Sequence, residues 1–293
     1  MSDLNKEPLI SVVIPMYNEE ASIRDTLASI INQNYNNIQL ILVDDGSDDN
    51  CVSLTEDYVK DIPGEHTILQ NTTNLGQSFA RNRGAMYADG KYIIFHDADD
   101  LSTPERLRKQ VEFLENHPEV GVLGGAYYYL NPYRNQTELK RRPTNDEEIR
   151  EKMARECMIN LGTAMFRREA LFETDLFRSR NVEGYELVID VGKKWELANL
   201  DDPVYLYRIN DSSRSQKNEI YKKALIGYRS YQAIRAFDLS YWYLLLQFGW
   251  MIYMNAPTPV QRAIRRIFSP TEERDLTEQE QKEIKKLIKK YEH

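Results

Sequence analysis

The chain has 293 residues, a length that suits one large domain or two small ones around a sizeable core. Hydrophobic residues at 41% and charged residues at 29% exclude wholesale disorder, and a net charge of −8 argues against a nucleic-acid binder, which needs a broad basic face. Two cysteines, Cys51 and Cys157, cannot build a disulfide framework and do not match zinc-ligand spacing, which fits a reducing, cytosol-facing compartment.

Residues 1–8 hold no basic segment leading into an apolar core, so no signal peptide is expected, and they are expected to lack order. Beyond them, short apolar runs alternate with amphipathic stretches. Residues 9–14 (LISVVI) end at Pro15, and 38–43 (IQLILV) end at Asp44-Asp45-Gly46. Residues 67–69 form a weaker run, 92–95 (YIIF) lead into His96-Asp97, and 120–123 (VGVL) are the fifth. These runs are apolar on both faces, as buried parallel strands are. Helical spacing is predicted over 19–33, 51–59, 77–88 and 104–116, with Thr103 as the cap of the last and Pro104 in its first turn. Strand–helix–strand repetition implies an α/β sheet with right-handed crossovers.

In the second half, 126–142 is tyrosine-rich and then basic, and 146–156 reads as a helix. Residues 160–166 read as a strand, 183–193 as a helix, 195–209 as two strands around a turn at Asp201-Asp202-Pro203, and 217–237 as a long helix. Residues 239–254 (LSYWYLLLQFGWMIYM) are apolar at 13 of 16 positions, which is short of the roughly 20 residues that a spanning helix needs. Arg262, Arg265 and Arg266 follow, the pattern of a helix lying at a membrane surface, although a packing helix has the same composition. The tail, 271–293, is charged throughout and reads as a solvated helix, with Thr277 and Glu280 spaced as a capping box.

Ligands of open α/β sheets bind beyond the carboxyl ends of the strands. Here those ends carry Pro15 to Glu19, Asp44 to Asp49 and His96 to Asp100, two of them strongly acidic. Acidic loops repel a bare phosphate, so phosphate binding there implies a divalent cation. Asp97 and Asp99 stand two apart, and hard carboxylate oxygens suit Mg²⁺ or Mn²⁺. Alone, the same pair could be a solvated acidic loop or a capping cluster ahead of Pro104. Asp45 can accept a hydrogen bond from a pyrimidine N–H, although Asp44-Asp45-Gly46-Ser47 is also ordinary turn chemistry.

SVVIPMYNEE (11–20), LVDDGSDD (42–49), NLGQSFARNRG (74–84) and HDADD (96–100), in this order, resemble family 2 glycosyltransferases of the GT-A fold. YELV, LDDPVYLYR and NDSSRS further on are similar to the same family. The resemblance spans about 9–215 and implies a Rossmann-like mixed α/β sheet flanked by helices, with a helical extension beyond it. Residues 9–125 would be the nucleotide-sugar half, 126–215 the acceptor half, 216–270 the aromatic extension and 271–293 the tail. It also implies a nucleotide-sugar donor, UDP-sugar favoured, a divalent metal and inversion at the anomeric carbon. By resemblance Asp99 is the direct metal ligand and Asp97 lies nearer the ribose or bridging oxygens. Asp45 binds the base, while Pro15, Tyr17 and Glu19 shape the nucleoside pocket. Gly76, Arg81 and Arg208 lie at the nucleotide and its diphosphate.

The family supplies its base from a Glu-Asp pair at a helix start, where this chain reads Glu183-Gly184-Tyr185-Glu186. Three explanations stand open: Glu183 is the base, Glu186 one turn on is the base, or the chain binds sugar nucleotide without the usual transfer. Glu183, Glu186 and Asp190 share one helical face. Asn210 stands at the family's histidine position and cannot carry its proton chemistry. None of the four histidines is an attractive ligand; His96 reads as a packing residue. No Gly-rich phosphate loop follows the first strand, which excludes dehydrogenase and P-loop chemistry. The expected acceptor is lipid-linked or a glycan in cell-surface glycan or glycoprotein assembly. The expected place is the cytosolic membrane face, with peripheral contact through 239–268.

Overall fold

The computed structural model describes residues 7–60, 62, 64–131, 136–178, 183–209, 219–242 and 278–291. Calls on 132–135, 210–218 and 243–277, including Asn210, the arginines at 262–266 and Thr277, lie outside the described residues, as do 1–6. Glu7 and Pro8 are held by Asn37 and Tyr35.

The strands are β1 (Ile10–Met16), β2 (Ile38–Asp44), β3 (Glu65–Gln70), β4 (Tyr92–Phe95), β5 (Leu101–Ser102), β6 (Val120–Asn131), β7 (Gln136–Lys140), β8 (Met165–Arg167) and β9 (Glu196–Arg208). The helices are α1 (Ile23–Ile31), α2 (Cys51–Val59), α3 (Gln77–Ala85), α4 (Arg106–Asn116), α5 (Asp146–Met153), α6 (Arg168–Phe172), α7 (Glu183–Gly192), α8 (Glu219–Ala236) and α9 (Glu278–Tyr291). The described strands form one mixed sheet in the order β3-β2-β1-β4-β8-β6-β9-β5, with β7 on β6. β3, β2, β1 and β4 are parallel, and β8 reverses direction between β4 and β6.

Continuous apolar runs are required because helices cover both faces. Val13, Ile41, Val43, Ile93 and Phe95 pack towards α3 and α7, while Ile10, Val12, Ile14, Leu40, Leu42 and Ile94 pack towards α1, α2 and α4. The β1, β2 and β4 ends that carry Pro15, Asp44 and His96 therefore emerge side by side.

Four expectations are corrected. Residues 195–209 are not two strands: β9 is one strand paired to β6, and its register jumps from Leu200 to Pro203, so Asp201 and Asp202 bulge out. Thr103 does not cap α4; its hydroxyl donates to the Pro203 carbonyl, and α4 starts at Arg106. Residues 160–166 divide into a 3₁₀ turn (Leu161–Thr163) and the short β8, with Asn160 capping the turn. The tail is not a purely solvated helix: Ile284 and Tyr291 of α9 are buried in an apolar cluster with Ala28, Leu101, Leu130 and Leu206. β6 runs unbroken through residues 125 and 126, so the two expected halves share a strand.

Candidate active site

The loops after β1 and β2 are laced together. Asn18 takes a positive φ of 57°, its backbone N–H donates to Ser47 Oγ, and its side-chain oxygen accepts from the Asp48 N–H. Glu20 and Asp49 exchange comparable bonds with the backbone of the opposite loop. Gly46 has φ of +76°, and a Cβ there would sit 2.8 Å from the Thr73 carbonyl carbon, so only glycine fits this crossing. Pro15 is buried in β1, Tyr17 is 37% exposed, and Glu19 is half-buried and accepts from Ser22 Oγ at 2.7 Å.

Asp45 is buried. Its carboxylate accepts from Asn71 Nδ2 (2.8 Å), the Leu75 N–H (2.9 Å) and the Gly76 N–H (2.7 Å). It thereby fixes the loop that delivers the N-terminus of α3. On the first turns of α3, Gln77 Nε2 and Arg81 Nη2 both reach Asp97 Oδ1, at 3.0 and 2.6 Å. Arg81 also lies over the Phe177 ring. Arg83 turns away, to the Gln70 carbonyl and Asn71.

The loop after β4 gathers Asp97, Asp99 and Asp100. Arg208, from the end of β9, bonds the Asp99 carbonyl through Nε (2.5 Å) and pairs with Asp25 through Nη1 (3.2 Å), and its backbone N–H donates to Asp100 Oδ1 (2.6 Å). Its Nη2 is buried without a hydrogen-bond partner, as is Asp100 Oδ2. Burial, then the charges of Asp97 and Glu19, push the Asp99 carboxyl up to about 7. Burial, with Asp99 and Asp97, holds the Asp100 carboxyl well above its usual range, and burial raises Glu19. Arg81 and Arg208 offset only part of this carboxylate charge, and Asp99 stays raised beside them, so hard oxygen donors on Asp99 and Asp97 fit Mg²⁺ or Mn²⁺. Among the described residues no group of three or more His, Cys, Asp or Glu is placed to hold a metal ion. A cation here would complete its shell with phosphate oxygens and water, as Mg²⁺ does when one or two carboxylates hold it. His96 is buried and packs as expected.

The acceptor-side candidates separate. Glu183 opens α7, but its side chain lies outside the described residues. Glu186 is buried and accepts from Gln232 Nε2 of α8 at 3.4 Å. Asp190, further along the same face, is held by Arg178 and Lys193. A Cβ on Gly184 would meet the Leu161 Cβ at 3.0 Å, so the 3₁₀ turn crowds the helix start. Gln77 was legible only as the residue four before Arg81 on a helix. Asp25 carried no signal apart from its acidity, and Asp100, although it closes HDADD, gave no sign of its tie to Arg208, because that comes from β9 folding back over the loop.

The model of the family described as "Glycosyl transferase family 2" matches residues 11–174. The chain belongs to glycosyl transferase family 2. It is 38% identical over 121 residues to the glycosyltransferase EpsE of Bacillus subtilis, a match covering 41% of this chain and 44% of EpsE, so it spans less than half of that relative. Among solved structures it is similar to residues 1–349 of S. aureus TarS in complex with UDP-GlcNAc, with a TM-score of 0.61 and 21% identity over 75% of this chain and 66% of that one. It is also similar to the mannosyltransferase PcManGT of Pyrobaculum calidifontis in complex with GDP-Man and Mn²⁺, with a TM-score of 0.55 and 17% identity over 91% and 89%. The mixed sheet flanked by helices is thus the GT-A architecture of glycosyltransferases.

Proposed function

We propose that this family 2 member is an inverting, metal-dependent glycosyltransferase. It moves a sugar from a nucleotide-sugar donor, UDP-sugar favoured, to a lipid-linked or glycan acceptor in cell-surface glycan or glycoprotein assembly. The observation that carries the reading is the convergence of Asp97, Asp99, Arg81 and Arg208 at the carboxyl ends of the parallel strands.

The nucleoside lies between Pro15, Tyr17 and Glu19 on one loop and Asp45 and Gly76 on the next. A carboxylate offers roughly four lone-pair sites. The chain fills three on Asp45, which leaves one for a base N–H. Arg208 Nη2, buried and unpaired, and Arg81 meet the diphosphate. A divalent ion on Asp99 and Asp97 would neutralise charge on the departing nucleoside diphosphate. Glu183 takes the proton from the acceptor hydroxyl as the new glycosidic bond forms on the opposite face of the sugar.

Peripheral contact with the cytosolic membrane face through 239–268 would bring a lipid-linked acceptor within reach. Tyr241 and Trp242, 57% and 62% exposed, support that contact. Among the described residues no helix is long and apolar enough to cross a membrane. The second reading, a sugar-nucleotide-binding partner protein without turnover, is favoured by Gly184 at the usual base position, where Leu161 would stand 3.0 Å from the Cβ of an aspartate.

The test is calorimetric binding of UDP, GDP and their sugar conjugates, with Mn²⁺ and with chelator, to wild type and Asp99→Ala. Metal-dependent binding of one nucleotide, lost in the variant, is the expected result. Absence of all nucleotide binding would remove the donor site. Binding without turnover of any conjugate would favour the second reading.

A further inference from the structure

Behind the acidic loop lies a buried polar spine that the donor site leaves without a role. Arg106, at the start of α4, is fully buried, and among the described residues no carboxylate pairs with it. Its Nε donates to Gln110 Oε1 and its Nη1 to Ser102 Oγ, both at 3.1 Å, and its Nη2 has no hydrogen-bond partner. The guanidinium carbon stands 5.2 Å from the centroid of the Tyr205 ring. A buried cation without a counter-ion is costly, so its retention calls for an explanation.

The bonds around it run in one direction. His96 Nδ1 faces the Asp97 carbonyl at 2.8 Å, and a carbonyl only accepts, so Nδ1 carries the proton. Nε2 must then accept from Ser102 Oγ at 3.0 Å, which leaves the Ser102 oxygen to accept from Arg106. Tyr205, also fully buried, receives the Asp97 N–H on its hydroxyl oxygen at 3.3 Å. The acidic loop is thus held from behind at the Asp97 N–H and the Asp97 carbonyl. The spine reaches the acceptor side as well, because Gln110 Nε2 donates to the Leu123 and Thr163 carbonyls.

We propose that Arg106 and Tyr205 are positioning residues that fix the 97–100 loop for divalent-cation binding, Arg106 through Ser102 and His96 and Tyr205 through its hydroxyl. The positive charge behind the loop also offsets repulsion among Asp97, Asp99 and Asp100. This rests on the donor and metal reading above.

The experiment uses the full chain as wild type, Tyr205→Phe and Ser102→Ala. Tyr205→Phe keeps the ring under Arg106 and removes only the hydroxyl. Ser102→Ala cuts the relay and keeps the charge. Three quantities are measured: Mn²⁺ affinity in the presence of UDP, by electron paramagnetic resonance of free Mn²⁺; UDP affinity at saturating Mn²⁺; and the melting temperature without ligands. Each variant is expected to bind Mn²⁺ about tenfold more weakly, with UDP affinity at saturating Mn²⁺ within about twofold of wild type. A merely structural role would lower the melting temperature and leave the Mn²⁺ affinity alone, and that result overturns the proposal. An equal loss of Mn²⁺ and of UDP affinity at saturating metal also overturns it, as general damage to the site. Wild type that binds no nucleotide with Mn²⁺ overturns the donor reading and this proposal together; failure of the variants alone leaves the donor reading standing.

Discussion

Asp45 carries two tasks at once. Its carboxylate fills three of its acceptor sites with Asn71, Leu75 and Gly76, which leaves one for the proposed nucleoside. Asp45→Asn would turn an amide N–H towards a backbone N–H. The expected cost is about 1–3 kcal/mol of stability, a melting temperature lower by several degrees, together with weaker UDP binding. A residue that touched only the base would leave the melting temperature unchanged, so thermal unfolding beside calorimetry separates the two. The base divides by the same logic. Glu186 is buried and turned to Gln232 of α8, whereas Glu183 opens the helix. Glu183→Gln is expected to lower kcat by about 100-fold or more with donor affinity retained, and Glu186→Gln to change kcat by only a few-fold. Rapid-quench turnover of both variants checks this; the reverse order would move the base to Glu186. At this scale the sequence pointed to Asp45, Asp97, Asp99 and Arg81 because each sits in a short contiguous motif, whatever the chain distance to its partner. It did not carry Gln77 or Tyr205, whose partner Asp97 lies 20 and 108 positions away, or Arg106, whose partners Ser102 and Gln110 are local but form no recognisable motif.

The elements were legible where burial on two faces leaves a long apolar run. β1, β2 and β4 were found because no solvent face interrupts them, and their ends located the site. β9 was misread because Asp201-Asp202-Pro203 has turn chemistry in a strand that bulges there and keeps its partner β6. α9 was misread for the opposite reason. Its 7 acidic and 6 basic neighbours across 271–293 hide a stripe at Ile284, Ile288 and Tyr291, spaced i, i+4 and i+7. That stripe packs on α1 and shares an apolar cluster with Leu101 of β5 and Leu206 of β9, next in chain to Asp100 and two before Arg208. Ile284→Asp is therefore expected to destabilise the fold by about 2–4 kcal/mol, while Lys285→Asp on the exposed side stays within about 0.5 kcal/mol. Equilibrium urea unfolding compares them, and equal midpoints would mean that α9 does not dock.

For the whole molecule, the proposed membrane contact has to be reconciled with a net charge of −8. Overall charge repels an anionic surface, so the proposed contact would be local, through aromatic side chains and the arginines that follow in the sequence. Tyr241 and Trp242 stand exposed where the apolar run begins, which suits rings that sit at a lipid headgroup layer. Deleting 238–293 would not isolate this contact, because the same cut removes Ile284 and Tyr291 from their buried cluster and confounds anchoring with folding. The double substitution Tyr241→Ser and Trp242→Ser is the cleaner probe, since both rings are solvent-exposed and their loss leaves the core intact. Burying one large apolar side chain contributes about 1.5–3 kcal/mol, so losing two is expected to weaken flotation with phosphatidylcholine–phosphatidylglycerol vesicles by at least about tenfold at an unchanged melting temperature. Vesicle binding that survives both substitutions would place the contact elsewhere on the molecule. Absence of binding by the wild type would leave the acceptor to come to the enzyme from solution, and the lipid-linked class would give way to a soluble glycan.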